Sequence, residues 1–168
     1  MKAVETRTYK LTAGHYMNRM FRMYLADKWW ILLVLVAPFI GLSFINLNFI
    51  YVALIVVFLV LPMLSFFVWF SYAFDTECLS AIRKGTMRVD EDGLTRFFMD
   101  GDGNRTGERR YQWDEFDEFE VVSGEIVLYY RTKRYAFQVI PVDSFENREN
   151  KELAISLISK GIGVEEEY

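Results

Sequence analysis

Five carboxylates fall within seven positions: Asp114, Glu115, Asp117, Glu118 and Glu120. A close carboxylate pair, one protonated and one ionised, is a common instrument of general acid–base chemistry. Here Trp113, Phe116 and Phe119 recur every third residue among the acids. That spacing makes the acids the solvated side of an amphipathic stretch containing a helical turn or bulge. A second candidate, Asp100-x-Asp102-x-Asn104, has the opening of a calcium loop. It carries Arg105 at the sixth position, where that loop needs glycine, and Tyr111 at the twelfth, where it needs glutamate. A hairpin loop is therefore expected, without a metal. His15 is the single histidine and has no cysteine or acidic cluster at ligand spacing, so it is expected simply to start a helix. Cys78 is the single cysteine, so no internal disulfide forms, in keeping with a reducing compartment. No nucleophile elbow, phosphate loop or zinc spacing occurs. The sequence thus assigns no catalytic, cofactor-binding or metal residue, and the chain is expected to be non-enzymatic and free of cofactors.

The elements around these residues are dominated by one stretch. From Trp29 to Phe74 no residue is charged. A spanning helix needs about 20 mostly apolar residues to cross a hydrocarbon core about 30 Å thick, and this run is long enough for two. Asn46-Leu47-Asn48 is its polar break, so a hairpin is expected, with helices over 29–45 and 49–74. A buried helical hairpin of a soluble protein would carry charged faces, and a cleaved signal peptide would be shorter. Pro38 and Pro62 each remove a backbone donor and are expected to kink their helices. Ala37 and Gly41 are four apart, a spacing that lets another helix approach and admits a homo-oligomer. No ionisable residue marks an ion path through the spans.

Charge gives the orientation. Residues 1–28 hold six basic and two acidic groups, net +4, and residues 75–168 hold thirteen and twenty-one, net −8. Lys and Arg beside spans stay cytoplasmic, so both termini are expected there, with the Cys78 thiol just inside the face and reachable only in opened cells. An acidic soluble part argues against nucleic acid. The basic start suits anionic headgroups.

Before the hairpin, Lys2–Leu11 suggests a strand and Thr12–Lys28 an amphipathic helix, with Tyr16, Met20 and Tyr24 on one face. After it, Asp75–Lys84 is helix-compatible and Gly85 a C-cap. Strands are then expected over 86–90, 94–99, 109–113, 119–122, 126–131 and 134–140, with an Asp/Gly-rich loop over 100–107. A helix follows over 147–160, closed by Gly161, and the tail from Gly163 is expected to fray. The outcome is a membrane α-helical hairpin plus an α+β part: an antiparallel meander covered by a C-terminal helix. Its domains are 1–28 (strand and juxtamembrane helix), 29–85 (two-span hairpin with a helical extension) and 86–168 (β domain). A domain as small as the last is marginal alone, so Lys2–Leu11 is expected to pair with its sheet edge.

This order, with YQWDEFDEFEVVSGEIVLYY followed by FQVIPVDSF, resembles the YcxB-like family of bacterial membrane proteins. Trp113, Phe116, Ile140, Pro141 and Phe145 match that family's pattern, and the opening YKLTAGHY is similar to its start. The resemblance implies a pleckstrin-homology-like β domain on the cytosolic face of the bacterial inner membrane, and no catalytic residues. The basic start and the Asp/Gly-rich hairpin are not explained by it. Expected partners are the lipid bilayer and a protein of unknown identity. The expected function is a membrane-anchored interaction module. The alternative is an immunity protein whose hairpin engages a membrane-acting toxin.

Overall fold

The computed structural model describes residues 2–163, at Leu32 the backbone alone. The chain divides into two compact units: Gly14–Asp75, and Met1–Ala13 together with Thr76–Tyr168. Beyond residue 163 the expected fraying of the tail lies outside the described residues.

In the first unit, α1 (Ala13–Ser43) is one uninterrupted helix of 31 residues. The surface helix and the first span expected as separate elements are continuous, because nothing between Lys28 and Trp29 breaks the backbone ladder. The chain reverses at Asn46-Leu47, where Asn46 Oδ1 accepts a hydrogen bond from Asn48 N (3.0 Å). It returns through α2 (Asn48–Ile55), one π turn (Val56–Val60) and α3 (Leu61–Ala73). Pro62 cannot donate to the turn before it, and the wider π turn is where the ladder absorbs that missing donor. The two helical stretches, Ala13–Ser43 and Asn48–Ala73, are long and apolar enough to cross a membrane. Their large side chains lie open: Trp29 is 61%, Phe58 75% and Phe66 58% exposed.

The second unit is α+β. Residues Phe74 and Asp75 interrupt the helix, so the expected extension is a separate element, α4 (Thr76–Ile82). Gly85 is not its cap. It opens β2 (Gly85–Asp90), where a Cβ would stand 2.0 Å from the Phe97 carbonyl oxygen. The strands β1 (Ala3–Glu5), β2, β3 (Gly93–Met99) and β4 (Arg105–Gln112) form one antiparallel sheet in that order. A second sheet holds β5 (Phe116–Val122), β6 (Glu125–Tyr130) and β7 (Phe137–Pro141). The single meander expected is therefore two sheets. The corner between them is a 3-10 turn at Trp113–Glu115, where Gln112 and Glu115 form a reciprocal capping box.

The expected edge pairing of the N-terminal strand is present, with Val4 opposite Val89. Tyr9 and Gly85 add a pair of backbone bonds of 2.9 and 3.0 Å. The expected Asp/Gly-rich loop over 100–107 was too long by three residues. Asp100 closes the turn by accepting from Asn104 N (2.8 Å), and Arg105–Glu108 already belong to β4. Conversely Arg134–Ala136 lie outside β7. Leu94, Tyr111, Trp113, Phe116, Ile126 and Ile158 share one core.

The last helix, α5 (Arg148–Ile162), covers that core. Asn147 Oδ1 caps its start by accepting from Asn150 N (2.7 Å). Its C-cap is Gly163 (φ 77°), not Gly161. Gly161 is an interior residue because a Cβ there would meet the Trp113 ring at 2.5 Å. Alanine favours a helix by about 1 kcal/mol over glycine, but overpacking costs about 1–3 kcal/mol. Gly161→Ala should therefore lower the urea midpoint; a raised midpoint would show that Trp113 yields freely.

Candidate functional site

The chemistry-bearing residues that the fold brings together are none of those singled out by sequence. They form a polar seam between α4 and the two sheets. On α4, Glu77 and Ser80 lie three residues apart and so share a face. Both are buried, whereas Leu79 on the opposite side is exposed. Strand alternation puts Arg109 and Tyr111 of β4 on one face. Tyr130 of β6 and Gln138 of β7 approach from the other sheet.

The Gln138 amide is the junction. Its Nε2 lies 2.8 Å from Tyr130 Oη, 3.3 Å from Tyr111 Oη and 3.5 Å from Ser80 Oγ. Ser80 Oγ and Tyr111 Oη are 3.0 Å apart, and Ser80 Oγ also donates to the Glu77 carbonyl (2.8 Å). The Glu77 carboxylate accepts from Arg109 Nη2 and, at 3.3 Å, from Tyr130 Oη. Lys133 Nζ stands 3.6 Å from it, in the connection between β6 and β7. One buried carboxylate thus ties α4 to both sheets. Breaking such a group's partnership usually costs more than the pair contributes, because the remaining charge stays buried.

A second cluster adjoins the first. Arg96 of β3 is fully buried. Its Nη1 donates to Tyr9 Oη (3.1 Å), and its Nη2 donates to the carbonyls of Ala81 (3.0 Å) and Arg83 (2.7 Å). Ala81 lies in the last turn of α4 and Arg83 just beyond it, where the helix dipole is negative. The guanidinium also lies 5.1 Å from the Tyr9 ring centre. Tyr9 Oη in turn donates to the Val139 carbonyl of β7 (3.0 Å). Arg96 Nε and Gln138 Oε1 are buried without a protein partner among the described residues.

The phenols of the seam and of the adjoining cluster stay protonated near neutrality. Burial pushes the Tyr9, Tyr111 and Tyr130 phenols above their ordinary value near 10. Arg96 opposes this at Tyr9, and the Ser80 hydrogen bond opposes it at Tyr111. Folded-state values raised above unfolded ones mean stability that is complete below pH 10 and lost as pH climbs beyond it. Each phenol should cost about 1.4 kcal/mol per pH unit above 10. Absorbance at 295 nm should show these tyrosines ionising together with unfolding; ionisation well before unfolding would contradict the burial.

The sequence candidates are scattered. Asp114, Asp117 and Glu118 are exposed, as expected of a solvated face. Asp100 is held below the usual carboxylate range, first by the Asn104 amide. No group of metal-ligating side chains occurs among the described residues. Calcium should leave the melting temperature in detergent unchanged, and saturable stabilisation at micromolar calcium would reverse that reading. Cys78 needs correction: its side chain is 2% exposed, so a thiol reagent cannot report its side of a membrane in the folded protein. Arg96 had a sequence signal that passed unused. It shares a strand face with Leu94, which puts a cation in a core position. Glu77 had none, because its partners lie 32 and 53 residues away.

No protein-family model, curated protein or solved structure matches the chain.

Proposed function

We propose that Gly14–Asp75 is a two-span membrane hairpin and that the α+β unit is a cytosolic, pleckstrin-homology-like interaction module of the YcxB-like kind, without enzymatic activity. The observation that carries the membrane reading is the exposure of large apolar side chains along both long helices. Water would charge heavily for that surface, at about 25 cal/mol per Å², whereas a hydrocarbon core accepts it. The flanking Lys and Arg residues support cytoplasmic termini. Two sheets of four and three strands, closed by a C-terminal helix, support the pleckstrin-homology likeness. An interaction role rather than catalysis is favoured by the seam, whose hydroxyls hold one another and whose phenols stay neutral.

Cysteines placed by Asn46→Cys and Asp102→Cys in a Cys78→Ser background test the topology. A membrane-impermeant maleimide should label the first in intact cells and the second only in opened ones. The opposite pattern inverts the topology, and release of the protein by carbonate refutes insertion. Photo-crosslinkers at the exposed Val121 and Val122 of β5 should give a discrete protein adduct in native membranes; their failure would remove the proposed partner.

A further inference from the structure

We propose that a single anionic phospholipid binds in the groove between α1 and α3, its headgroup at Lys28 and one acyl chain running along the groove. This deepens the membrane reading and rests on it. The groove encloses about 290 Å³ and is apolar along most of its length, with Trp29, Leu33, Leu64 and Val68 among its walls. Its polar contributors are Lys28, Tyr24 and Ser65.

Position gives the groove its polarity. Lys28 is the last charged residue before the uncharged run to Phe74, so it marks the boundary between headgroups and hydrocarbon. A cavity with a cation at that boundary, continuing between apolar helices, is complementary to a molecule with an anionic head and an aliphatic tail. Basic pockets between membrane helices on the cytoplasmic side recognise such headgroups. Asp27 stands 3.2 Å from the Lys28 ammonium, and the two side chains are 25% and 33% exposed. The ammonium is thus within reach of a phosphodiester, with Asp27 in competition for it.

A second copy of the chain is the other occupant to consider, and the walls disfavour it. Helices dock in membranes through small residues that let backbones approach. This groove is walled by bulky side chains, and the small pair Ala37 and Gly41 lies outside its lining.

Native mass spectrometry of the protein released from nanodiscs containing equal phosphatidylglycerol and phosphatidylcholine tests the proposal. The wild type should retain one phospholipid, favouring phosphatidylglycerol by about fivefold, the factor one ammonium near an anionic headgroup is worth. Lys28→Gln should remove the preference, and Asp27→Asn should strengthen it. Leu64→Trp, which fills the groove, should reduce retention of both lipids. Equal retention of the two lipids by the wild type would overturn the proposal, as would retention unchanged by Leu64→Trp. So would a dimer that only Leu64→Trp abolishes. Protein that enters the discs but keeps no lipid overturns this inference alone. Protein that never enters them overturns the membrane reading as well.

Discussion

Deleting residues 2–11 should unfold the β domain, although every residue of its other six strands remains. The segment's Val4 belongs to the shared core, and Leu11 is also buried. Burying two such side chains contributes about 1.5–3 kcal/mol each. The backbone adds Thr6 N to the Met87 carbonyl (2.8 Å) and Arg7 N to the Ser144 carbonyl (2.7 Å). Met87 N donates to Thr6 Oγ1 (2.9 Å), so a buried amide is orphaned when the segment goes. Such an orphan costs about 1–3 kcal/mol. Together these rival the 5–15 kcal/mol that typically holds a whole domain. The arm's charge matters in a different sense from its net +4: it is the acid Glu5 that pairs with Arg105, at 2.5 Å. Hydrogen exchange over 86–160 should lose its protection in the shortened chain. Equal protection with and without residues 2–11 would mean that the domain folds without its first strand.

Arg96→Ala should be almost as damaging. It orphans the Ala81 and Arg83 carbonyls, deprives the Tyr9 hydroxyl oxygen of the donor it accepts from, and empties a space filled by a long side chain. Three lost bonds at about 1–3 kcal/mol each imply at least about 3 kcal/mol, before any cavity cost. The urea midpoint should fall accordingly, and exchange over Thr76–Ile82 should rise more than exchange in β6. Tyr9→Phe removes two bonds, one from Arg96 and one to the Val139 carbonyl, and should cost about 1–3 kcal/mol without a cavity. If Arg96→Ala cost no more than Tyr9→Phe, the guanidinium would be a passenger among these groups rather than what holds them.

Local periodicity made much of this fold legible. The hairpin, the approximate places of all seven strands, the turn among Trp113, Phe116 and Phe119, and the start of the last helix near Asn147 all follow from residues close in sequence. What stayed hidden depends on distant neighbours. Gly161 resembles a helix end until Trp113, 48 positions earlier, is seen against it. The division into two sheets is set by how the Trp113–Glu115 corner redirects the chain, which alternation alone does not encode. The seam was illegible as a site because its members are ordinary residues taken singly. Ser80, Tyr111, Tyr130 and Gln138 acquire meaning only when two sheets and a short helix converge. The sequence pattern drew attention instead to acids that the fold leaves in solvent.

The pairing of Val4 with Val89 also has a cost in time. A ribosome adds about 5–20 residues per second. The strand that receives β1 is therefore synthesised roughly 4–17 s after β1 itself. Through that interval the first strand is an unmatched edge beside a nascent hydrophobic hairpin, the situation in which strands join the wrong neighbour. Lys2, Glu5 and Arg7 surround Val4, and charges on an edge are the common guard against such errors. Neutralising Lys2 and Arg7, while keeping the Glu5 partner of Arg105, should leave the finished fold's stability nearly unchanged yet raise the fraction of chains lost to aggregation during synthesis.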